Sequence, residues 1–333
     1  MLSEEYKKFL EEIKKAENIL VISHLKPDGD AISSTCAILE ILKKYNKKLF
    51  AYCSGLIPKN YDFLENYFYI YNSKEELNNH INLNKDNFLL SFDLLIILDC
   101  GSLARTDLKK EILDKGPFII EIDHHPKVDD YANLEIRNSL AASTTEIIYD
   151  LCLGLNIEIN KALAECLLTG IITDTNNFFY PNASSRTLKI SAHLLEKGAN
   201  LNKIIKQVLL NNNLATYKLW ALAMDRLEVH PKYNLAFSVL TLNDLKEIKA
   251  DQEEINETLS SIAGFLSNLS KVKASLLLHE TAIGMIKGHF RSASKEINIS
   301  HLARYMGGGG HPQASGFAIA GKLEKINNNW QVK

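Results

Sequence analysis

The chain has 333 residues, enough for two domains of ordinary size. A hydrophobic fraction of 46% with 23% charged residues is that of a globular protein and excludes a disordered or fibrous chain. The net charge of −2 supplies no general basic field, so long duplex nucleic acid is not the expected partner and a small anionic substrate is.

Residues 1–16 (MLSEEYKKFLEEIKKA) carry an amphipathic helix pattern with no apolar stretch of a secretory signal. The longest apolar run, 89–98, is broken by Asp93 and is too short to span a bilayer, so no membrane role is expected. The five cysteines, Cys36, Cys53, Cys100, Cys152 and Cys166, are scattered, odd in number and without zinc-site spacing. A reducing cytoplasm suits them.

Residues 18–23 (NILVIS) read as a buried strand, 31–45 as a helix and 48–53 as a second strand. Residues 94–99 (LLIILD) and 118–123 (FIIEID) read as two more strands, apolar enough for a parallel sheet covered on both faces. Strand–helix alternation predicts an α/β fold with an open, largely parallel sheet covered by helices. From 143 to about 226 the pattern is mostly helical, interrupted by the polar stretch Asn211 to Asn213. Strands over 235–240, 274–278, 283–291 and 317–320 and a helix over 255–269 predict a second, smaller α/β domain. The expected division is a catalytic domain over 1–187, a helical linker over 188–215 and a substrate-binding domain over 216–333.

Carboxylates and imidazoles follow the apolar segments. His24, Asp28 and Asp30 follow the first strand, Asp99 ends another, Asp123-His124-His125 ends a third, and Asp174 ends a helical stretch. Ligands of open α/β sheets bind at the carboxyl ends of the strands. Carboxylates gathered there repel unless cations neutralise them. Two divalent metals about 3.5–4 Å apart would do so and would clamp both oxygens of a phosphoryl transfer. Mixed histidine and aspartate donors suit manganese or a similar first-row ion better than calcium. Each motif alone has a plain structural explanation: Pro27-Asp28-Gly29 as a turn, Asp99 or Asp174 as a cap, His124 as a satisfied core histidine.

In these motifs the chain resembles the DHH phosphoesterase superfamily, named for a triplet matching Asp123-His124-His125. His24-x-x-x-Asp28-x-Asp30, Leu98-Asp99-x-Gly101-Ser102 and Gly170-x-x-x-Asp174-Thr175 are similar to its other motifs, and Gly307 to Gly310 with His311 are similar to the signature of the DHH-associated domain. The resemblance implies that His24, Asp28 and Asp99 hold one ion. Asp30, Asp99, His124 and Asp174 would hold the other, with Asp99 bridging. It implies two Mn2+ ions, replaceable by Mg2+ or Co2+, and a metal-bound hydroxide as nucleophile. His125 would face the scissile phosphate and Asp123 would orient a ligand by hydrogen bonding. Two departures bear on substrate shape: Ser33 and Asn176 stand where the family often has glycine.

For the substrate the resemblance implies Arg291, Ser292, Gly308, Gly309, Gly310 and His311, with Arg105 a weaker phosphate contact. A guanidinium fork suits phosphate, and glycines let backbone N–H groups approach an anion. The aromatic runs 67–69 and 178–179 could stack on a base, although such residues are more often core. Few residues follow the glycine motif, so the extra oligonucleotide-binding domain of RecJ-like exonucleases is not expected. The expected activity is hydrolysis of short oligonucleotides or of cyclic or linear dinucleotides to mononucleotides. The alternatives are a phosphatase of 3′-phosphoadenosine 5′-phosphate (pAp) and a nucleotide-binding sensor without turnover. The resemblance also implies a homodimer.

Overall fold

A computed structural model of the protein describes residues 3–81, 88–113, 116–210, 214–248, 252–292, 294, 296–327 and 329–333. The chain divides into two compact units, Met1–Asn211 and Asn212–Lys333. The first begins with α1 (Glu4–Lys15), capped by the Ser3 hydroxyl, and β1 (Asn18–Ser23). There follow α2 (Gly29–Leu42), β2 (Lys48–Tyr52), β3 (Ile70–Tyr71), α3 (Lys74–Ile81), β4 (Leu94–Leu98), α4 (Lys109–Leu113), β5 (Phe118–Asp123) and β6 (Leu134–Arg137). Four helices complete the unit: α5 (Thr144–Gly154), α6 (Lys161–Asp174), α7 (Ser185–Glu196) and α8 (Leu201–Val208).

Six strands form one sheet in the order β3-β2-β1-β4-β5-β6, and every pairing is parallel. The order reverses between β1 and β4, which creates the crevice where open α/β sheets bind ligands. Strand composition explains the arrangement: β4 is buried at every position, as a central parallel strand covered on both faces requires. One face packs Ile19, Val21, Ile96 and Ile120 with residues of α2, α5 and α6. The other packs Leu20, Ile22, Leu95 and Ile97 beneath Leu77 of α3 and Ile112 of α4.

Every residue of α2 except Glu40 is buried. Its close approach to α6 depends on two positions without side chains. A Cβ on Gly29 would lie 2.4 Å from the Thr173 side chain, and one on Gly170 would lie 2.4 Å from both Asp30 Oδ1 and Thr145 Oγ1. Glycine is what lets these backbones meet.

The linker expected over 188–215 is not a separate element as far as it is described. Ile190 and Leu194 of α7 and Ile204 of α8 are buried in the core of the first unit. Asn211 to Asn213, expected to interrupt the helices, lie outside the described residues.

The second unit contains α9 (Leu214–Asp225), β7 (Glu228–His230), β8 (Leu235–Leu240), α10 (Leu242–Ile248), α11 (Gln252–Leu266), β9 (Ala274–Glu280) and β10 (Met285–Arg291). It ends with α12 (Ser300–Tyr305), β11 (Gly309–His311), β12 (Ala314–Ala320), β13 (Leu323–Ile326) and β14 (Asn329–Val332). Its main sheet runs β11-β12-β10-β9-β8-β7, parallel only between β8 and β9. Leu219 of α9 and Leu259 and Ile262 of α11 pack with Leu240 and Leu277. Ile299 and Ala303 pack with Phe290 and Phe317 from the other set of strand positions.

Candidate metal centre

Three strand ends and two helix ends of the first unit bring six predicted donors together. His24 follows β1. A carbonyl only accepts, so His24 Nδ1, 2.9 Å from Leu25 O, carries the proton and leaves Nε2 as a lone-pair donor. That Nε2 is buried and has no hydrogen-bond partner. It lies 3.6 Å from Asp28 Oδ2 and 3.7 Å from Asp99 Oδ2. Asp28 is the N-cap of α2; its Oδ1 accepts from the N–H groups of Asp30 and Ala31, which aims Oδ2 at His24.

Asp99 follows β4 in the left-handed region, φ +58°. Its two oxygens face different imidazoles. Oδ2 faces His24, and Oδ1 lies 3.5 Å from His124 Nε2. His124 Nε2 is also 3.3 Å from Asp174 Oδ2 at the end of α6. Asp30 completes the second cluster from the first turn of α2. The groups His24–Asp28–Asp99 and Asp30–His124–Asp174 each have donor atoms within 4.8 Å of one another, and Asp99 with His124 and His125 forms a third.

Two residues that the sequence reading missed hold the acids. Thr144 N–H donates to Asp30 Oδ2 at 2.6 Å, and its hydroxyl donates to Asp99 Oδ1 at 2.9 Å. Thr145 donates its N–H and its hydroxyl to Asp30 Oδ1. Both sit at the start of α5, whose positive dipole end favours a carboxylate. The available signal was Ser143-Thr144-Thr145 opening a helix, which reads as an ordinary cap and nothing more.

The cluster is crowded with acid. Burial, then repulsion from Asp30 and Asp28, pushes the Asp99 carboxyl well above the usual carboxylate range. The same two causes raise Asp174. Burial also raises Asp30, against the attraction of His124. Repelling carboxylates around an orphaned imidazole nitrogen are the environment a divalent cation fits.

Asp123 and His125 stand slightly apart. Asp123 Oδ1 accepts from His125 N–H at 2.8 Å and pairs with His125 Nδ1 at 2.9 Å, while Oδ2 accepts from Gly101 N–H at 2.5 Å. Burial opposes ionisation of Asp123, yet the bonds from His125 and Gly101 hold its carboxyl below the usual range. Asp123 therefore orients His125 and not one of the six clustered donors. His125 Nδ1 also lies 3.5 Å from Asp99 Oδ1. Arg105, in the short 3-10 turn 103–106, donates to the Cys100 carbonyl and is half-buried near Gly101.

The remaining predicted residues belong to the second unit. Arg291 ends β10 and donates to its neighbour's carbonyl, Phe290 O. Ser292 is buried, with its hydroxyl 3.0 Å from Lys273 O, so that hydroxyl already has an internal acceptor. Gly308 and Gly310 are close-packed: a Cβ would meet Gly316 O at 2.0 Å and Ala314 O at 2.6 Å. Gly309 meets nothing within 4 Å, and His311 is exposed. Of the aromatic runs, Tyr67 is core and Phe178 packs against it, while Phe68 and Phe179 are exposed.

Residues 18–171 match the model of the DHH family, N-terminal domain, and residues 234–330 match the DHHA1 domain. The chain is 29% identical, over 91% of its length and 90% of the other, to the bifunctional oligoribonuclease and PAP phosphatase NrnA of Bacillus subtilis strain 168. It is 28% identical, over 93% and 92%, to the probable bifunctional oligoribonuclease and PAP phosphatase NrnA of Streptococcus mutans. Its fold matches that of an exopolyphosphatase-related protein from Bacteroides fragilis with a TM-score of 0.84 at 24% identity, covering 94% of this chain and 90% of that one. Fold, motifs and relatives together define a hydrolytic phosphoesterase. The chain belongs to the DHH phosphoesterase superfamily.

Proposed function

We propose that the protein is a manganese-dependent phosphodiesterase that hydrolyses short oligonucleotides and dinucleotides to mononucleotides, and that the same centre removes the 3′-phosphate of pAp. The observation that carries this reading is the Asp99 carboxylate, which presents one oxygen to each of two donor groups. His24, Asp28 and Asp99 would hold one ion, and Asp30, Asp99, His124 and Asp174 the other. When bound, a pair of divalent cations neutralises these carboxylates, polarises phosphoryl oxygens and lowers the pKa of coordinated water.

The chain's own residues supply the rest. His125 is fixed by Asp123 with its Nε2 edge free to meet the scissile phosphate, and its half-exposed ring leaves room for one. Thr144 and Thr145 hold the acids in place before substrate arrives, so less reorganisation accompanies the reaction. Arg105 beside Gly101, and Arg291 with the backbone of Gly309 and Gly310, are the proposed phosphate contacts.

The pAp activity is included because the Bacillus subtilis relative is named a bifunctional oligoribonuclease and PAP phosphatase, and the Streptococcus mutans relative a probable one. The two activities are compatible at one centre, since both place a phosphate against the same donors. The reading is tested by turnover of pApA, a trinucleotide, cyclic di-AMP and pAp with manganese, magnesium or cobalt. Release of mononucleotide from pApA and of phosphate from pAp is expected, fastest with manganese. Binding of all four without hydrolysis in metal-replete buffer would make the protein a sensor and refute it. Arg291→Ala is expected to raise KM and leave kcat nearly unchanged.

A further inference from the structure

We propose that Arg137, at the end of β6, is a positioning residue for His125, and that Glu121, Glu135 and Tyr131 are present to hold it there. This rests on the reading above that His125 meets the substrate phosphate.

The argument starts from an anomaly in β5. The strand FIIEID is buried at every position after the first, yet it carries Glu121 at 1% exposure. An ionised carboxylate so placed needs a partner of opposite charge. The register makes the need greater. Glu121 stands opposite Glu135 of β6, and Asp123 stands opposite Arg137. Like charges directly opposite in a sheet repel.

Arg137 resolves both rungs at once. Its Nη2 lies 2.6 Å from Glu121 Oε2 and its Nε 2.5 Å from Glu135 Oε1. Its Nη1 donates to the backbone carbonyl of His125 and lies 3.6 Å from Asp123 Oδ2. The Tyr131 hydroxyl donates to the other oxygen of Glu121. All three guanidinium nitrogens are thus committed, in a planar arrangement that a lysine cannot reproduce.

The consequence falls on His125. Asp123 fixes its N–H and its ring, and Arg137 fixes its carbonyl. The peptide units on both sides of the residue are therefore pinned, and the ring has one orientation. His124, the residue before it, is directed instead to Asp99 and Asp174. Release of the His125 carbonyl would loosen the one member of the pair that reaches the phosphate, while His124 and the acids keep their own contacts.

Two variants test this in the 333-residue chain. Arg137→Lys keeps the charge and loses the fork. Glu121→Gln with Arg137→Gln removes one charge of each sign, and Glu135 retains Lys127 at 2.8 Å, so this pair guards against failure of the first to fold. Manganese affinity by calorimetry and KM for pApA should stay within about threefold, while kcat should fall about 10- to 100-fold, as for other groups that orient a reacting residue. In a His125→Asn background the same changes should cost less than about twofold, because they act through that ring. A readout that needs no metal is the His125 Nδ1–H proton, observable by NMR when held by Asp123; it should be present in the parent protein and lost in both variants. Full turnover in either variant, an undiminished loss in the His125→Asn background, or a loss that only follows manganese affinity would overturn the proposal. If His125→Asn itself keeps full turnover, the role given to His125 in the proposed function fails instead.

Discussion

The two units carry their polar residues in opposite ways. In the first, His24, Asp30, Asp99 and Asp123 are buried, the clustered donors lie 3.3–3.7 Å from one another, and Asp30 and Asp99 are held by a backbone amide and a threonine hydroxyl. In the second, the predicted residues form no such cluster. Ser292 directs its hydroxyl inward to Lys273, Gly308 and Gly310 are fixed by packing, and His311 is exposed. A reacting centre must be rigid before substrate arrives. A surface that only holds substrate can be made of small residues and exposed cations. The division of labour proposed for the units rests on this difference in how much of each side chain's bonding capacity is already used.

The sharpest way to break this comparison is at Asp99. Asp99→Ala removes the carboxylate shared by the two donor groups and should lower kcat by more than about 10³-fold, beyond the 10- to 100-fold typical of an orienting residue. Calorimetric titration should show fewer than two manganese ions bound. Retained turnover would end the bridging role. Thr144→Val comes next. It removes the hydroxyl bond to Asp99 Oδ1 but keeps the N–H bond to Asp30 and the volume of the side chain. A fall in kcat of about 10- to 100-fold is expected, with melting temperature little changed. A loss below about threefold would mean that the first unit is less dependent on preset geometry than the contrast implies.

Much of this was legible in the sequence, for reasons that can be named. β1, β4 and β5 are near-continuous apolar runs that end in or are followed by acids or histidines, and the turn after each strand is where a parallel sheet presents its ligands. The family motifs then tied the acids together. What escaped was everything whose role comes from pairing. β6 is four residues of alternating burial, too short to register as a strand, so Arg137 had no place beside Asp123. Glu121 reads as part of an apolar run, although a carboxylate there requires a buried cation. Thr144 and Thr145 looked like a helix start, because nothing local reveals that Asp30, over a hundred positions earlier, is their acceptor. The expected limit of the first domain at 187 leaves out α7 and α8, amphipathic helices whose apolar faces pack in the core of the first unit.

The two units should respond to acid in opposite directions when metal is removed. Asp99 and Asp174 are raised above the unfolded carboxyl value of about 4. Their protonated forms favour the fold, so their contribution to metal-free stability is present in acid and is lost as pH rises from about 4, whereas Asp28 and Asp123, held low, act in the opposite sense only below that value. In the second unit, burial lowers His279 to about 3 and His289 to about 4, and the charge on Arg291 adds to the effect at His289. The two rings stack with centroids 5.2 Å apart, and neither nitrogen of His279 has a hydrogen-bond partner. Their neutral forms favour the fold, so this contribution is complete above about 6.5 and is lost as pH falls toward 4. Each group changes stability by about 1.4 kcal/mol per pH unit within its window. Hydrogen exchange in chelator, followed from pH 7 to pH 5, should show protection rising in the first unit and falling in the second. His279→Phe should flatten the second trend alone, and parallel movement of both units would contradict the assignment.

The smallest expected effect is the most informative about the second unit. Gly309 lies between two glycines that packing requires, yet a Cβ on it meets nothing within 4 Å and its φ is outside the left-handed region. Gly309→Ala should therefore leave thermal stability within about 0.5 kcal/mol of the parent, as for an exposed site away from special features. If the backbone here approaches a phosphate, the added methyl occupies the space the anion needs. KM for pApA and pAp should then rise several-fold while kcat is retained, the pattern of a group that binds ground state and transition state equally. An unchanged KM with unchanged stability would remove the glycine run from the substrate surface and leave Arg291 and His311 as the remaining candidates there. A loss of kcat instead would mean that the second unit takes part in chemistry, and the division drawn between the units would no longer hold.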